Sequence, residues 1–407
     1  MTIRVEEFAV AADAWLADQC APAEHDRQSD DVAVFHSLPA DAERALIREA
    51  GEWQRRKFDA GYGAIAWPEE FGGAGLTAAH ARAFVGAEAR YATPADHELR
   101  RITVNLVAPT VRAWGTPDQQ RRFVRTFLRC EDFACQLYSE PGAGSDLAGL
   151  GARAQASGDG WVVNGSKVWV SGAQFADWGF LLARTDPDAP KHAGITAFLV
   201  PMSAAGIEIR PIRQMTGGES FNEVFFTDVQ LADDLRLGEA GQGWRVATSM
   251  LALERNQSGS RGGVGGSVEQ LLSLARRRGA VDPALREQLV RVYLHERMRM
   301  LTRQRADERS LRDEAPGPAG SMGKLLWVQG LLVIGDAAGA VLGPQLVVET
   351  GEPGTYAWSE HVLGAPGFRI AGGSDEIQRN ILAERVLGLP ADPGPDRSMP
   401  WRELRRS

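Results

Sequence analysis

An α+β fold in three consecutive parts, helical, then sheet, then helical, is predicted by three features of the 407-residue sequence. Apolar residues recur at three-and-four spacing from about residue 4 to 130, short alternating runs bounded by glycine turns follow, and helical spacing returns from about residue 241. The changes of period place an N-terminal helical domain over 1–133 and a central, mainly antiparallel β-domain over 134–235. A C-terminal four-helix bundle over 236–392 and a tail over 393–407 complete the expected order. A chain of this length has room for two or three domains, each with its own core.

In the first part, "VEEFAVAADAWLADQC", "DAERALIREAGEWQRRKFDAGY", "TAAHARAFVGAEARYA" and "DQQRRFVRTFLRC" read as helices, and "AWPEEFGGAGLT" (66–77) interrupts them as a structured loop. In the second, "GARAQASGDGWVVNGSKVWVSGA" offers two hairpin turns, one at Gly-Asp-Gly and one at Asn-Gly. "WGFLLART", "GITAFLVPM", "GIEIRPIRQ" and "FNEVFFTDVQL" add strands. In the third, "WRVATSMLALERNQ", "SVEQLLSLARRRG", "PALREQLVRVYLHERMRMLTRQRADE" and "SMGKLLWVQGLLVIGDAAGAVLGPQ" are long enough for a bundle, broken at "APGPAG".

Composition excludes several classes of function. The formal net charge is -8, and no long basic tract stands out apart from Arg276, Arg277 and Arg278, so no nucleic-acid partner is expected. Cys20, Cys130 and Cys135 show no paired spacing and the seven histidines no zinc-type cluster, so neither disulfides nor a structural metal are expected. No uninterrupted apolar run reaches transmembrane length, and the first residues carry Glu6, Glu7 and Asp13 rather than a targeting pattern. No membrane partner and a cytoplasmic location follow as expectations.

Four stretches carry candidate chemistry. "YSEPGAGSDLAGL" (138–150) has glycines that permit close approach, with Ser139, Ser145 and exposed amides able to hold a flavin edge or a phosphate; an ordinary surface turn fits the same residues. Its spacing is not that of the Gly-x-Gly-x-x-Gly dinucleotide fingerprint. "NGSKVWVSG" places Trp169 and Ser171 on one strand face, which suits a planar cofactor, although a strand tryptophan is more often core. Glu254 follows Met250, Leu251 and Leu253 on a predicted helix, so its stem lies beside an apolar stripe, either to do work there or to pair locally at the surface. In "GGSDEIQRN" the glycines permit a tight turn, and Ser374 or Asp375 caps a helix beginning near Ile377, where acids are favourable.

"SEPGAGSD", "NGSKVWVSG" and "GGSDEIQRN", in this order, resemble the acyl-CoA dehydrogenase family across almost the whole chain. The composite pattern is similar to the actinobacterial branch that acts on steroid side-chain or other bulky acyl-CoA esters. The resemblance implies FAD between the β-domain and the C-terminal bundle, with an acyl thioester between flavin and a carboxylate. Tyr138, Ser139, Gly144 and Ser145 then look like the flavin and coenzyme A segment, and Trp169, Val170 and Ser171 like the strand against the isoalloxazine. Gly373, Ser374 and Glu376 fall on the terminal cofactor loop, while Ser145 and Arg255 resemble coenzyme A contacts; surface pairing of Arg255 remains open.

Many members carry the catalytic glutamate immediately before the terminal Gly-Thr, a position that falls on Gly372 here. A second arrangement takes the base from an earlier helix in a Leu-Glu-Arg context, which matches Leu253-Glu254-Arg255. The resemblance therefore implies Glu254 as base, with the Gly373 N–H and a ribityl hydroxyl of FAD on the thioester oxygen. An apolar pocket would raise Glu254 above the reference value of about 4.3. Two departures accompany the match: "LLSLARRRGAVDPALREQL" lacks the Arg-x-x-Phe-Gly motif, and "ETGEPGTYAWSEHVLGAPGFRI" reads as an irregular loop. "SGSRGGVGG" after Glu254 offers space for a bulky acyl group, or marks a loop or helix break.

The implied activity is α,β-dehydrogenation of an acyl-CoA to a trans-2-enoyl-CoA, with Glu254 taking the α-proton and the β-hydride passing to flavin N5. An acyl-CoA oxidase, a dehydrogenase of carrier-bound acyl groups and a non-catalytic subunit of a heteromer are the alternatives. The expected partners are an electron-transfer flavoprotein or similar acceptor and further subunits, in a homodimer, a homotetramer or a heteromer with a paralogous chain.

Overall fold

The computed structural model describes residues 3–23, 32–35, 37–258, 264–279, 282–310, 319–348, 355–391 and 398–404. Six helices open the chain: α1 (Val5–Gln19), α2 (Ala40–Asp59), α3 (Ala78–Glu88), α4 (Glu98–Ile102), α5 (Ala108–Trp114) and α6 (Pro117–Leu128). Between α4 and α5 the chain widens into a π-helical turn over Thr103–Val107. The stretch 98–114 has no counterpart among the helices expected from sequence, because Pro109 and the β-branched residues around it blur the helical period. Burial decides the outcome: Leu99, Val107, Ala108 and Val111 are fully enclosed, and Thr103 Oγ bonds both Leu99 O and the backbone N–H of Ala134.

The central domain is an eight-stranded sheet: β1 (Ala134–Leu137), β2 (Arg153–Ser157), β3 (Gly160–Ser171), β4 (Trp178–Arg184), β5 (Ile195–Pro201), β6 (Ile207–Ile212), β7 (Phe221–Ala232) and β8 (Arg236–Leu237). The strand order is β6-β7-β3-β2-β4-β5-β8, with β1 paired to β4. Most pairs are antiparallel; β1 runs parallel to β4 in the register Ala134↔Trp178 to Leu137↔Leu181, and β2 meets β4 in parallel at Arg153↔Arg184. Gly-Asp-Gly forms the β2–β3 hairpin turn as expected, since Ser157 pairs with Gly160.

Asn-Gly does not turn the chain. Asn164 and Gly165 lie inside β3, where the register against β7 shifts between Val163 and Gly165. Gly165 adopts φ +142, and a Cβ there would sit 2.7 Å from the Ala152 backbone. The glycine thus serves a bulge and a close strand approach rather than a hairpin.

Six further helices form the C-terminal part: α7 (Gly243–Ser258), α8 (Val268–Arg277), α9 (Pro283–Ser310), α10 (Ala319–Leu342), α11 (Thr355–Gly364) and α12 (Asp375–Arg385). Helix α10 is central and packs against the other five. By length and composition Gly320–Val347 could span a membrane, but half of that stretch is buried in the bundle and Lys324 interrupts it. The segment before the terminal motif, expected to be irregular, contains α11, whose Trp358 and His361 are buried and anchor it to α10 and the loop before α8. Helix α12 begins at Asp375, two residues earlier than its sequence suggests, because Ser374 is the cap and its hydroxyl accepts from Ile377 N.

Candidate functional site at the seam of sheet and bundle

Strand β1 delivers Tyr138 and Ser139 from the sheet toward α7. Tyr138 is buried and its hydroxyl donates to Met250 Sδ at 3.1 Å. Met250 and Glu254 stand one turn apart on α7, so the glutamate shares the face that meets Tyr138. Burial raises the Tyr138 hydroxyl well above its ordinary pKa, and the charge of Glu254 adds to that rise. Glu254 itself is half-buried.

The terminal motif packs on α10, the helix that also packs on α7. Gly372 and Gly373 both adopt left-handed conformations, φ +65 and +88, and turn the chain into α12. Lys324 of α10 is 1% exposed and donates to Gly373 O at 2.9 Å, with Asp375 Oδ1 at 3.5 Å. Burial pulls its ammonium below the ordinary lysine value, while Asp375, Glu376 and Glu254 pull it back up. One lysine thus contacts the glycine turn and senses the Glu254 charge.

The two acids beside the glycines differ from Glu254 in setting. Asp375 is buried and paired, with Arg369 Nε donating to its Oδ2 at 3.0 Å. Glu376 is exposed, and its own backbone N–H and then the Ser374 hydroxyl hold it below the usual carboxylate range. Gly372 has no group to ionise.

Trp169 stands apart from the core. It is 57% exposed and adopts φ +61, which is rare for a bulky side chain, beside a register shift between Lys167 and Val170. That shift interrupts the alternation expected to put Trp169 and Ser171 on one face. Val170 is buried, Ser171 is half-buried, and Val168 N donates to Ser139 O at 2.9 Å, which fastens the 138–145 segment beside the indole. Gly144 and Ser145 are exposed. From Trp169 a chain of ring contacts runs through Phe221, Phe35 and Phe368 to Trp327 of α10, marking the seam between sheet and bundle.

Several features of this seam suit FAD. An exposed indole held in a strained conformation offers a planar surface. The N-terminus of α12, entered through two glycines and capped by Ser374, suits a diphosphate. Among the described residues, Thr216 Oγ1 and Asn222 Nδ2 on the β6–β7 side are buried with no hydrogen-bond partner, as groups awaiting a polar ligand would be. A cleft of about 260 Å³ lined by Ser37, Glu43, Gln174 and Gly217 includes none of the Glu254 and Gly373 cluster.

Sequence reasoning missed Lys324, Gln378 and the Lys167–Glu140 pair. A lone lysine in the apolar text "SMGKLLWVQGLLV" was the available signal, since such a charge is buried only with partners. Helix α7 includes Arg255, but its side chain lies outside the described residues, as do 259–263 of "SGSRGGVGG".

The three-part architecture and the residues gathered at the seam fit a flavin-dependent oxidoreductase. Family models for the N-terminal, middle and C-terminal domains of acyl-CoA dehydrogenase match residues 5–131, 135–229 and 241–387. The chain is 40% identical over 393 residues to acyl-CoA dehydrogenase IpdE1 of Mycobacterium tuberculosis, covering 95% of this chain and 98% of that one. Among solved structures, the Tcur3481-Tcur3483 steroid ACAD is similar at TM-score 0.75 and 26% identity, over 96% of this chain and 100% of that one. The ChsE4-ChsE5 complex from Mycobacterium tuberculosis is similar at TM-score 0.69 and 25% identity, over 96% and 99%. The chain therefore belongs to the acyl-CoA dehydrogenase family, whose members are FAD-dependent enzymes that dehydrogenate acyl-CoA thioesters.

Proposed function

We propose that this protein dehydrogenates a bulky, ring-bearing acyl-CoA at its α,β bond, with Glu254 as the catalytic base. The observation that carries the reading is the packing of α10 against both α7, the helix of Glu254, and α12, with Lys324 of α10 donating to Gly373 O, so base and glycine turn flank one helix. The steroid ACAD named among the similar structures supports a bulky acyl group.

The thioester α-proton is weakly acidic, so its removal requires a base and a donor for the charge that grows on the carbonyl oxygen. Glu254 takes the proton as the α C–H bond breaks. The Gly373 N–H supports the oxygen, and the electron pair becomes the new double bond as the β-hydrogen leaves with its own pair. FAD, when bound, supplies the acceptor for that hydride at N5. Trp169, Val170, Ser171 and the segment from Tyr138 to Ser145 would hold its ring side; Ser374 at the start of α12 would meet its diphosphate, and Glu376 its adenine half. Ser145 and Arg255 would meet coenzyme A.

Glu254→Gln tests this directly. The variant should keep FAD and bind acyl-CoA, yet lose anaerobic flavin bleaching by about 10²–10⁴-fold, the range for removal of a general base. Bleaching at the wild-type rate would overturn the assignment.

Further subunits form part of the reading. Val290, Leu294, Met298 and Leu301 recur at helical spacing on the exposed side of α9, each about half exposed, and favour burial against another chain. The paired names of the two similar structures point to a heteromer with a paralogous subunit. Mass determination of the protein alone and after co-expression with such a subunit distinguishes a homo-oligomer from a heteromer. Reoxidation of the bleached enzyme by an electron-transfer flavoprotein rather than by oxygen would separate dehydrogenase from oxidase.

A further inference from the structure

Three successive carbonyls in the loop that follows Ser145 each accept from a side chain outside it. Arg184 Nη2 donates to Ala148 O at 2.6 Å and to Leu150 O at 3.2 Å, and the Trp401 indole Nε1 donates to Gly149 O, between them, at 3.2 Å. A surface loop ordinarily gives such carbonyls to water. Here a buried cation and a tryptophan from the C-terminal tail take its place. Glu140 secures the far end of the loop by accepting from Gly151 N and Ala152 N. The stretch is thus held in its middle and at its close, and Ser145 stands exposed at its start.

Arg184 also joins a second loop to the first. It is 2% exposed, and its Nη1 donates to Lys191 O at 2.6 Å, while Lys191 Nζ donates to Asp146, the residue after Ser145, at 3.0 Å. The tail closes over both loops. The backbone N–H groups of Trp401 and Arg402 donate to Ala189 O at 3.0 Å and Pro187 O at 3.1 Å, and Arg402 pairs with Asp188 at 2.7 Å. The buried indole ring lies 4.7 Å from the Arg184 guanidinium, a contact worth most where water is excluded.

We propose that the tail is a positioning element for coenzyme A recognition: Trp401, seated on Arg184, holds the 146–151 and 187–191 loops together and keeps Ser145 in place for the coenzyme A portion of the thioester. This rests on the reading of Ser145 as a coenzyme A contact. A loop already held loses little freedom when its ligand arrives, whereas a released loop must be ordered at that moment, and the cost appears as lost affinity. The tail bonds named here run to the two loops, while proton removal belongs to Glu254 on α7. Release of the tail therefore acts on the grip on coenzyme A rather than on the grip on the acyl group.

The test uses the FAD-loaded full chain with (cyclohexylthio)acetyl-CoA and the N-acetylcysteamine thioester of the same acid, which lacks most of coenzyme A. Sulfur at the β position leaves no hydride to transfer, so both bind without turnover. In Trp401→Ala the dissociation constant of the CoA thioester, from titration of flavin absorbance, should rise about tenfold, the cost of ordering roughly one loop residue on binding, while that of the short thioester stays unchanged. Constants unchanged for both, or raised equally for both as a merely structural loss would give, overturn the proposal.

Should that variant fail to hold FAD, amide hydrogen exchange in the wild-type enzyme decides. Linkage is reciprocal, so a ligand that gains from the docked tail also stabilises it. The Trp401 and Arg402 amides should exchange more slowly with the CoA thioester bound than with the short one; equal rates overturn the proposal. Ser145→Tyr separates the two readings. Undiminished affinity for the CoA thioester there sinks the reading of Ser145 and this inference with it, whereas a loss in Ser145→Tyr without one in Trp401→Ala sinks the inference alone.

Discussion

The fully buried ammonium of Lys167 donates to Glu140 Oε1 at 2.7 Å and to Tyr138 O at 3.0 Å. Glu140 in turn accepts from Gly151 N at 2.7 Å and Ala152 N at 3.0 Å, so one ion pair ties both ends of the 138–152 segment to β3. Burial pulls the lysine below its ordinary value, and Glu140 opposes that fall. Removing one partner of such a pair strands the other, at a cost of about 3–5 kcal/mol. Lys167→Met should lower stability by that order in urea unfolding, and Lys167→Met with Glu140→Gln should recover part of it. A double variant no more stable than the single would show that the charge left on Glu140 is not the source of the loss.

Trp169 allows strain and ligand binding to be separated. Both Trp169→Ala and Trp169→Gly lose the indole, but only alanine keeps a side chain at φ +61. The glycine variant should be more stable than the alanine variant by about 1 kcal/mol, less the entropy glycine adds to the unfolded chain. Both should bind FAD more weakly than wild type, measured by flavin titration of the apoprotein. Undiminished FAD affinity in both would remove the indole from the cofactor surface.

Residues 398–404 fold back onto the sheet. The Trp401 indole is buried, donates to Gly149 O at 3.2 Å and stacks 4.7 Å from the guanidinium of Arg184, which itself donates to Ala148 O and Leu150 O. Trp401→Ala should cost about 3–5 kcal/mol if the docked tail unfolds with the domain. Amide hydrogen exchange should quicken in 146–151 and around Pro187 and Ala189, whose carbonyls accept from the tail backbone. Unchanged protection there would mean that the tail does not support these loops.

His361 supplies a pH dependence of definite sign. Its Nδ1 accepts from Gly266 N at 2.9 Å and its Nε2 donates to Leu331 O at 2.8 Å, an arrangement open to the neutral ring alone. Burial lowers its pKa below the ordinary imidazole range, against the Leu331 and Val32 carbonyls, which raise it. Because the unfolded chain binds the proton more readily, the contribution is complete above about pH 6.5 and is lost as pH falls below it. The melting temperature should fall between pH 7 and 5, and His361→Leu should flatten that fall while lowering stability at pH 7.5 through two orphaned backbone groups, at about 1–3 kcal/mol each. An equally steep fall in His361→Leu would assign the dependence to other groups.

Order of domains, most helices and the β2–β3 hairpin were legible because period and turn chemistry are local signals. Asn164-Gly165 was misread because the same dipeptide serves a bulge when a neighbouring backbone, here Ala152, needs the space. Helix α11 was hidden behind glycines and proline, and becomes a helix because Trp358 and His361 bury against α10. Within the candidate site, Glu254, Trp169 and the glycine turn are proposed from their own residues and the resemblance. Lys324 and Gln378 could not, since their roles lie in bonds to carbonyls of a turn, one of them 49 positions away, and backbone carbonyls leave no mark on sequence.

The bond between Trp401 and Gly149 spans 252 positions of chain. At about 5–20 residues per second of synthesis, the loop beside the cofactor segment waits roughly 10–50 s for its cover to emerge. Once Arg184 has been made, it holds the Ala148 and Leu150 carbonyls without the indole above it. A nascent chain would thus already carry its sheet strands and Glu254 while the loop at 146–151 stayed open to solvent and proteases, and its closure would follow the formation of the sheet rather than accompany it.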